Sequence, residues 1–261
     1  MGMGESPVSL VVSQMTKPLS HQWISQGMTH TGKVRQINQD AFLNLPEQQL
    51  WLVADGMGGH QEGEVASAAI VESLQDYSAT KTLGTSVKKV YRKLAGVNQD
   101  LLATASLGNS NDIIGSTVAI LLAQGRHGVC FWSGDSRIYL FRNSQLNQLT
   151  RDHNHEEVYL AEGLTPEQVM SNPYTQALTH AVGVDHQLFT ETLLLEIKQN
   201  DIFLLCSDGL NKEVTDLEIE DRLKMPFSVE ENVHQLVELS LARGARDNVT
   251  VIVAKNETKG I

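Results

Sequence analysis

The segment Trp51-Leu52-Val53-Ala54-Asp55-Gly56-Met57-Gly58-Gly59-His60 constrains this chain more than any other. Four residues of apolar character, one of them β-branched, predict a short buried strand, and the Asp-Gly pair that follows predicts its abrupt end. An acid at the end of a core strand needs a cation, a metal or a helix terminus, because a lone buried carboxylate is strongly destabilising. The glycines at 56, 58 and 59 strip the turn of Cβ atoms, so backbone groups there can approach a small ligand closely. Taken alone, the segment reads better as an ordinary Asp-Gly hairpin turn.

The same event recurs along the chain. Asp201-Ile202-Phe203-Leu204-Leu205-Cys206-Ser207-Asp208-Gly209 is a second apolar run ending in Asp-Gly, and Asp247-Asn248 precedes the β-branched run Val249 to Ala254. Upstream, Arg35-Gln36-Ile37-Asn38-Gln39-Asp40 leads into a short apolar segment, and Ser133-Gly134-Asp135-Ser136-Arg137 separates two strand-like runs. Asp40, Asp55, Asp135, Asp208 and Asp247 therefore all lie at predicted strand edges. Strand ends can converge on one spot, where several carboxylates repel unless a hard divalent cation neutralises them.

These motifs, with Gly115-Ser116-Thr117 between them, occur in an order that resembles the bacterial metal-dependent Ser/Thr protein phosphatases of the PPM (type 2C) family. The resemblance covers Gly32 to Ala254. It implies an α+β fold, an αββα sandwich of two antiparallel β-sheets flanked by helices, and hydrolysis of phosphoserine and phosphothreonine in proteins. It also implies Mn2+ or Mg2+: Asp55, Asp208 and Asp247 on one ion, Asp55 and the Gly56 carbonyl on a second, and Asp135 with Asp208 on a third, weaker site. Hard oxygen donors suit these ions better than Zn2+. Water held between two ions would attack phosphorus in line without a phosphoenzyme. Asp40 and Asn248 fall behind the ligands, holding water or backbone. An Arg at position 35 clamps the substrate phosphate in the family, although a lone Arg is more often a surface charge. Two departures stand out: Gln39 occupies a position that is Glu in eukaryotic members, and Met57 replaces a His. His60 remains as a substrate contact or proton donor.

The run from Asn44-Leu45-Pro46-Glu47-Gln48 through Gly58-Gly59-His60-Gln61 is similar to phosphatases associated with bacterial type VI secretion, which oppose a threonine kinase. Stand-alone stress or nitrogen-signalling phosphatases are the competing assignment. A non-catalytic regulator on the same fold and a hydrolase of small phosphate esters stand as alternatives, but retention of Asp55, Asp208 and Asp247 favours catalysis.

Other chemistries lack support. A cysteine phosphatase needs Arg six positions after its Cys, where Cys130 meets Ser136 and Cys206 meets Lys212, and no phosphate-binding Gly-rich loop with Lys occurs. Both cysteines lie in apolar runs, as buried thiols of a reducing compartment do. A net charge of -11 disfavours nucleic acid. No run approaches a membrane span, so a cytoplasmic monomer acting on a phosphorylated protein is expected.

With 261 residues, 41% hydrophobic, the chain suits one large domain, placed at 21–256 after a flexible leader, 1–20. Helical periodicity predicts helices over 63–74 and 86–105, and strands over 115–122, 129–133 and 138–142. Residues 151–178 are the least strand-like and form an expected flap, with one short helix opened by Thr165-Pro166 and closed into a capping box by Gln168. His153-x-His155 within it reads either as a metal pair or, more readily, as solvated loop. Ser228 and Glu231 make a capping box for the last helix, with a frayed tail expected after Ala254.

Overall fold

Near-continuous apolar runs, not strict alternation, mark the central strands, and this pattern requires a sheet covered on both faces. The computed structural model, which describes residues 21–59, 62–107, 113–172 and 174–258, has that arrangement. One antiparallel sheet comprises β1 (His21–His30), β7 (Arg137–Arg142), β8 (Gln145–Gln148), β10 (Ile202–Cys206) and β11 (Val249–Thr258), in the order β1-β11-β10-β7-β8. The other comprises β2 (Asp40–Leu45), β3 (Leu50–Met57), β5 (Val118–Gln124), β6 (His127–Ser133) and β9 (Glu191–Glu196) in chain order, with the short β4 (Gly115–Ser116) pairing with the end of β3.

The alternation of side chains builds three apolar layers. Trp51 and Val53 point between the sheets, where they meet Trp23, Leu121, Phe203, Leu205 and Ile252. Leu50, Leu52, Ile120 and Leu122 point outward and pack on Ile70 and Leu74 of α1 (Glu62–Leu74) and Leu94 of α2 (Leu83–Leu107). On the far side, Leu204, Val251 and Val253 pack on Leu223 of α6 (Asp216–Lys224) and on Val233 and Leu236 of α7 (Val229–Ala242). The sandwich is therefore α-β-β-α. Ser228 and Glu231 cap α7 as expected.

Several local expectations are corrected. β3 does not stop at Asp55-Gly56 but runs on to Met57, because Gly56 and Met57 pair with Ser116 and Gly115 of β4. The run 115–122 is instead divided at Thr117, whose N–H turns to donate to the Asp55 carbonyl at 2.8 Å. The tail after Ala254 stays in register with β1 as far as Thr258, opposite His21. Between 151 and 178 lie two helices, α3 (His155–Ala161), capped by Asn154, and the expected α4 (Pro166–Met170). The expected leader and His60 lie outside the described residues. No helix among those described is long and apolar enough to cross a membrane.

Leu205 is fully buried between the sheets. Leu205→Ala should lower unfolding stability by about 2–5 kcal/mol through the cavity it leaves, read from the urea midpoint at an unchanged m-value.

Candidate metal centre

Register brings the first two acids together. Asp40 of β2 lies directly opposite Asp55 of β3. The Asp40 side chain is buried, and its Oδ2 accepts hydrogen bonds from Ser207 Oγ and Thr250 Oγ1, both at 2.7 Å, so one carboxylate of one sheet is bound to β11 of the other and to the residue that follows β10. Its Oδ1 is buried with no partner. Burial pushes this carboxyl up to about 7, with Asp208 and Asp247 adding repulsion and the two hydroxyls opposing. Asp55 is partly open to the cavity described below, yet enclosure by protein raises it well above the carboxylate range, and Asp40, Asp208, Asp135 and Asp247 each push it further. Asp135, in the turn between β6 and β7, is pushed up to about 7 by burial first and by Asp208 second.

Asp208 opens the short helix α5 (Asp208–Asn211) immediately after β10. Gly209 is required next to it, since a Cβ there would sit 1.9 Å from the Asn248 carbonyl oxygen. That close approach brings the start of β11 against Asp208. Lys212, one turn further on, folds back so that its Nζ pairs with Asp208 Oδ2, while Asp208 Oδ1 is buried without a partner. Asp247 is gripped by Arg35 through two parallel bonds, Nε to Oδ1 at 2.9 Å and Nη2 to Oδ2 at 2.8 Å. Asn248 fixes the loop that carries Arg35: its Oδ1 accepts from the Gln39 N–H at 2.8 Å, and its Nδ2 donates to the carbonyls of Thr31 and Ile37.

Gly56 is forced by packing as much as by any ligand. A Cβ there would fall 1.9 Å from the Gly63 carbonyl oxygen in the first turn of α1, and its N–H donates to the Gln39 carbonyl at 3.0 Å. The tight backbone at the Asp-Gly pair thus serves the contact between β3, the Arg35 loop and α1.

Arg35, Asp55, Gly56, Asp135, Asp208, Asp247 and Asn248 all line one cavity of about 380 Å3, and Gln176, Ala177 and Leu178 close its rim from the 151–178 segment. Of the residues picked out from sequence, only Asp40 lies behind the wall and only His60 lies outside the described residues. Among the described residues no three acids, His or Cys stand close enough as they are to hold an ion. The reason is visible: Asp247 is turned onto Arg35 and Asp208 onto Lys212. The residues nonetheless fit a hard divalent cation. All side-chain donors are carboxylates, one buried carboxylate oxygen of Asp208 has no partner, and mutual repulsion among the acids asks for positive charge.

His153 and His155 do not form a pair. The His153 Nδ1 accepts from the Gly134 N–H at 3.2 Å and its ring stacks on Trp132, whereas His155 stacks on Tyr159. His153 therefore braces the Asp135 turn. Thr117, part of the Gly115-Ser116-Thr117 motif, accepts the Asp55 N–H at 3.0 Å, whereas this brace and Lys212 are missed by a reading of the sequence. Only Lys212 left a signal, its spacing of four from Asp208.

The sequence matches the protein phosphatase 2C family over residues 27–247. The chain belongs to this family, among the bacterial PPM phosphatases. It is 36% identical over 225 residues to the serine/threonine protein phosphatase PstP of Mycobacterium tuberculosis, a match that covers 85% of this chain but only 43% of that protein. It is 34% identical to the serine/threonine phosphatase stp of Listeria welshimeri, covering 87% of this chain and 93% of the relative. Among solved structures, PppA of Pseudomonas aeruginosa, described as a key regulatory component of the type VI secretion system, superimposes with a TM-score of 0.83 at 38% identity, over 90% of this chain and 97% of that one. The catalytic domain of PstP in complex with two manganese ions gives 0.78 at 31% identity, over 91% and 100%.

Asp40 and Asp135 hold their protons to higher pH in the folded chain than in the unfolded one, so their stabilising contribution is present at low pH and is lost as pH rises through about 7, and burial shifts Asp55 in the same direction. The metal-free protein should melt lower at about pH 8 than at about pH 6, and Mn2+ should raise the melting temperature more at the higher pH while releasing protons into weak buffer.

Proposed function

We propose that this protein is a metal-dependent phosphatase that hydrolyses phosphoserine and phosphothreonine in proteins. The observation that carries the reading is the convergence of Asp55, Asp208, Asp247 and Arg35 on one cavity from four separate parts of the chain. Asp55, Asp208 and Asp247 would hold one ion, Asp55 and the Gly56 carbonyl a second, and Asp135 with Asp208 a third, weaker one. Bound there, Mn2+ or Mg2+ would supply Lewis acidity toward phosphoryl oxygens and make water nucleophilic near neutral pH. The PstP relative with two manganese ions supports this choice.

The chain's own groups set the geometry. Asp40, held by Ser207 and Thr250 with its Oδ1 left unpartnered, would orient what the acids in front of it bind. Arg35 presents a planar fork at the cavity mouth, half exposed, and its hold on Asp247 is the same two-bond geometry it would offer a phosphate. Asn248 keeps that loop at a fixed distance. His60 is assigned to the substrate side. The segment 151–178, through Gln176 to Leu178, acts as a flap that meets the residues flanking the phosphate. No cysteine competes as nucleophile, because burial pushes both thiols up to about 12.

The similarity to PppA favours a place in type VI secretion control, opposing a Ser/Thr kinase on a shared protein target. Free, buried cysteines are consistent with the reducing cytoplasm. The domain, 21–256, is taken to act as a monomer.

Turnover of a phosphothreonine peptide and of p-nitrophenyl phosphate, each with Mn2+, Mg2+ or EDTA, tests the reading. Peptide hydrolysis should need the metal and fall by at least about 10²-fold in Asp208→Ala. A folded wild type that binds Mn2+ yet turns over neither substrate would point instead to the non-catalytic regulator. Arg35→Lys should raise KM about tenfold with a smaller change in kcat, since an ammonium cannot replace the two-bond fork.

A further inference from the structure

We propose that Lys212 is a built-in counter-cation which a divalent ion must displace from Asp208, so that this side chain sets how tightly the centre holds metal. The inference rests on the metal-centre reading above and assigns a role to a residue outside its ligand set.

The cavity and its wall gather five acids, Asp40, Asp55, Asp135, Asp208 and Asp247, against two cations, Arg35 and Lys212. Arg35 has substrate to receive once it leaves Asp247. Lys212 has no such second task. Its Nζ contacts Asp208 Oδ2, and its charge also acts on Asp135 and Asp247. Asp208 is 8% exposed, so one of its oxygens is masked by an ammonium and the other is buried with no partner at all. A carboxylate in that state is half neutralised and half waiting.

The geometry lets the lysine leave without disturbing the fold. Its backbone is pinned by the N–H that donates to the Asp208 carbonyl at 2.9 Å, which closes the single turn of α5. The side chain, by contrast, is 38% exposed, and a four-carbon stem can swing the ammonium into water and regain rotamer freedom. An entering divalent ion therefore exchanges with Lys212 for Oδ2 and feels its repulsion until it moves. Because Lys212 also acts on Asp135, the penalty falls most heavily on an ion shared by Asp135 and Asp208.

The test uses the full chain, stripped with EDTA, dialysed, and titrated with MnCl2 by calorimetry at fixed pH. Lys212→Met keeps the stem and removes the charge, and it should tighten the weakest Mn2+ site by about tenfold, while Lys212→Arg should stay within about twofold of wild type. Thermal melts give a second readout: metal-free Lys212→Met should melt below metal-free wild type, and the gap should close at saturating Mn2+. Lys212→Gln serves in the same way if the Met variant fails to fold by circular dichroism. Unchanged or weakened Mn2+ binding in the charge-removed variants overturns the role of Lys212 while leaving the phosphatase reading intact. A folded wild type that takes up no Mn2+ overturns both.

Discussion

Everything at the functional end of this sandwich depends on holding several carboxyl groups close together against their mutual repulsion. Asp40 and Asp55 are direct cross-strand neighbours, an arrangement that ordinarily destabilises a sheet. Two hydroxyls from the opposite sheet, Ser207 and Thr250, grip Asp40 and hold it in place. That grip also joins the sheets at their polar end, where no apolar side chain could do so. The repulsion is thus stored by the fold, and a bound cation is what would relieve it.

Buried acids elsewhere in the molecule are treated differently. Asp201, almost fully buried at the opposite end of the strands, is met on both oxygens by Arg142 at 2.7 and 2.6 Å. Asp152, buried near the start of the 151–178 segment, is met by Arg137, Nε to Oδ1 at 3.0 Å and Nη2 to Oδ2 at 2.8 Å. Those pairs are closed and structural. Asp40 and Asp208, by contrast, each keep one buried oxygen without a partner. For these four buried acids, hydrogen-bond arithmetic sets Asp40 and Asp208 apart from Asp152 and Asp201.

The acids of the site were legible because each is coupled to a feature local in sequence: Asp55 and Asp208 to a glycine at an apolar run's end, Asp247 to the start of β11. Helices α4 and α7 were legible through their capping boxes. What could not be read was set by partners distant in the chain. β3 passes through its Asp-Gly pair only because β4 and Gln39 supply hydrogen bonds there, and the end of a strand is decided by what lies beside it. β9 escaped because it is an edge strand in which the neighbours Leu193 and Leu194 are both exposed, so it lacks the buried periodicity that marks the inner strands. α3 was hidden because its cap, Asn154, sits in a polar stretch that reads as loop. The Arg35 to Asp247 pair, 212 residues apart, leaves no local trace.

That long separation also shapes how the protein comes into being on the ribosome. Among the described residues β1 pairs with β11 alone, and Asp247 and Asn248 directly precede that late strand, which completes the sheet. A nascent chain synthesised as far as Cys206 already owns Asp40, Asp55 and Asp135 but has neither Asp208 nor the hydroxyl of Thr250. Such a fragment lacks two of the three acids assigned to the first ion, so the proposed centre is incomplete until β11 is in place. The long-range pairing that slows folding thus also makes the gathering of the acids one of the last events in building the sheet.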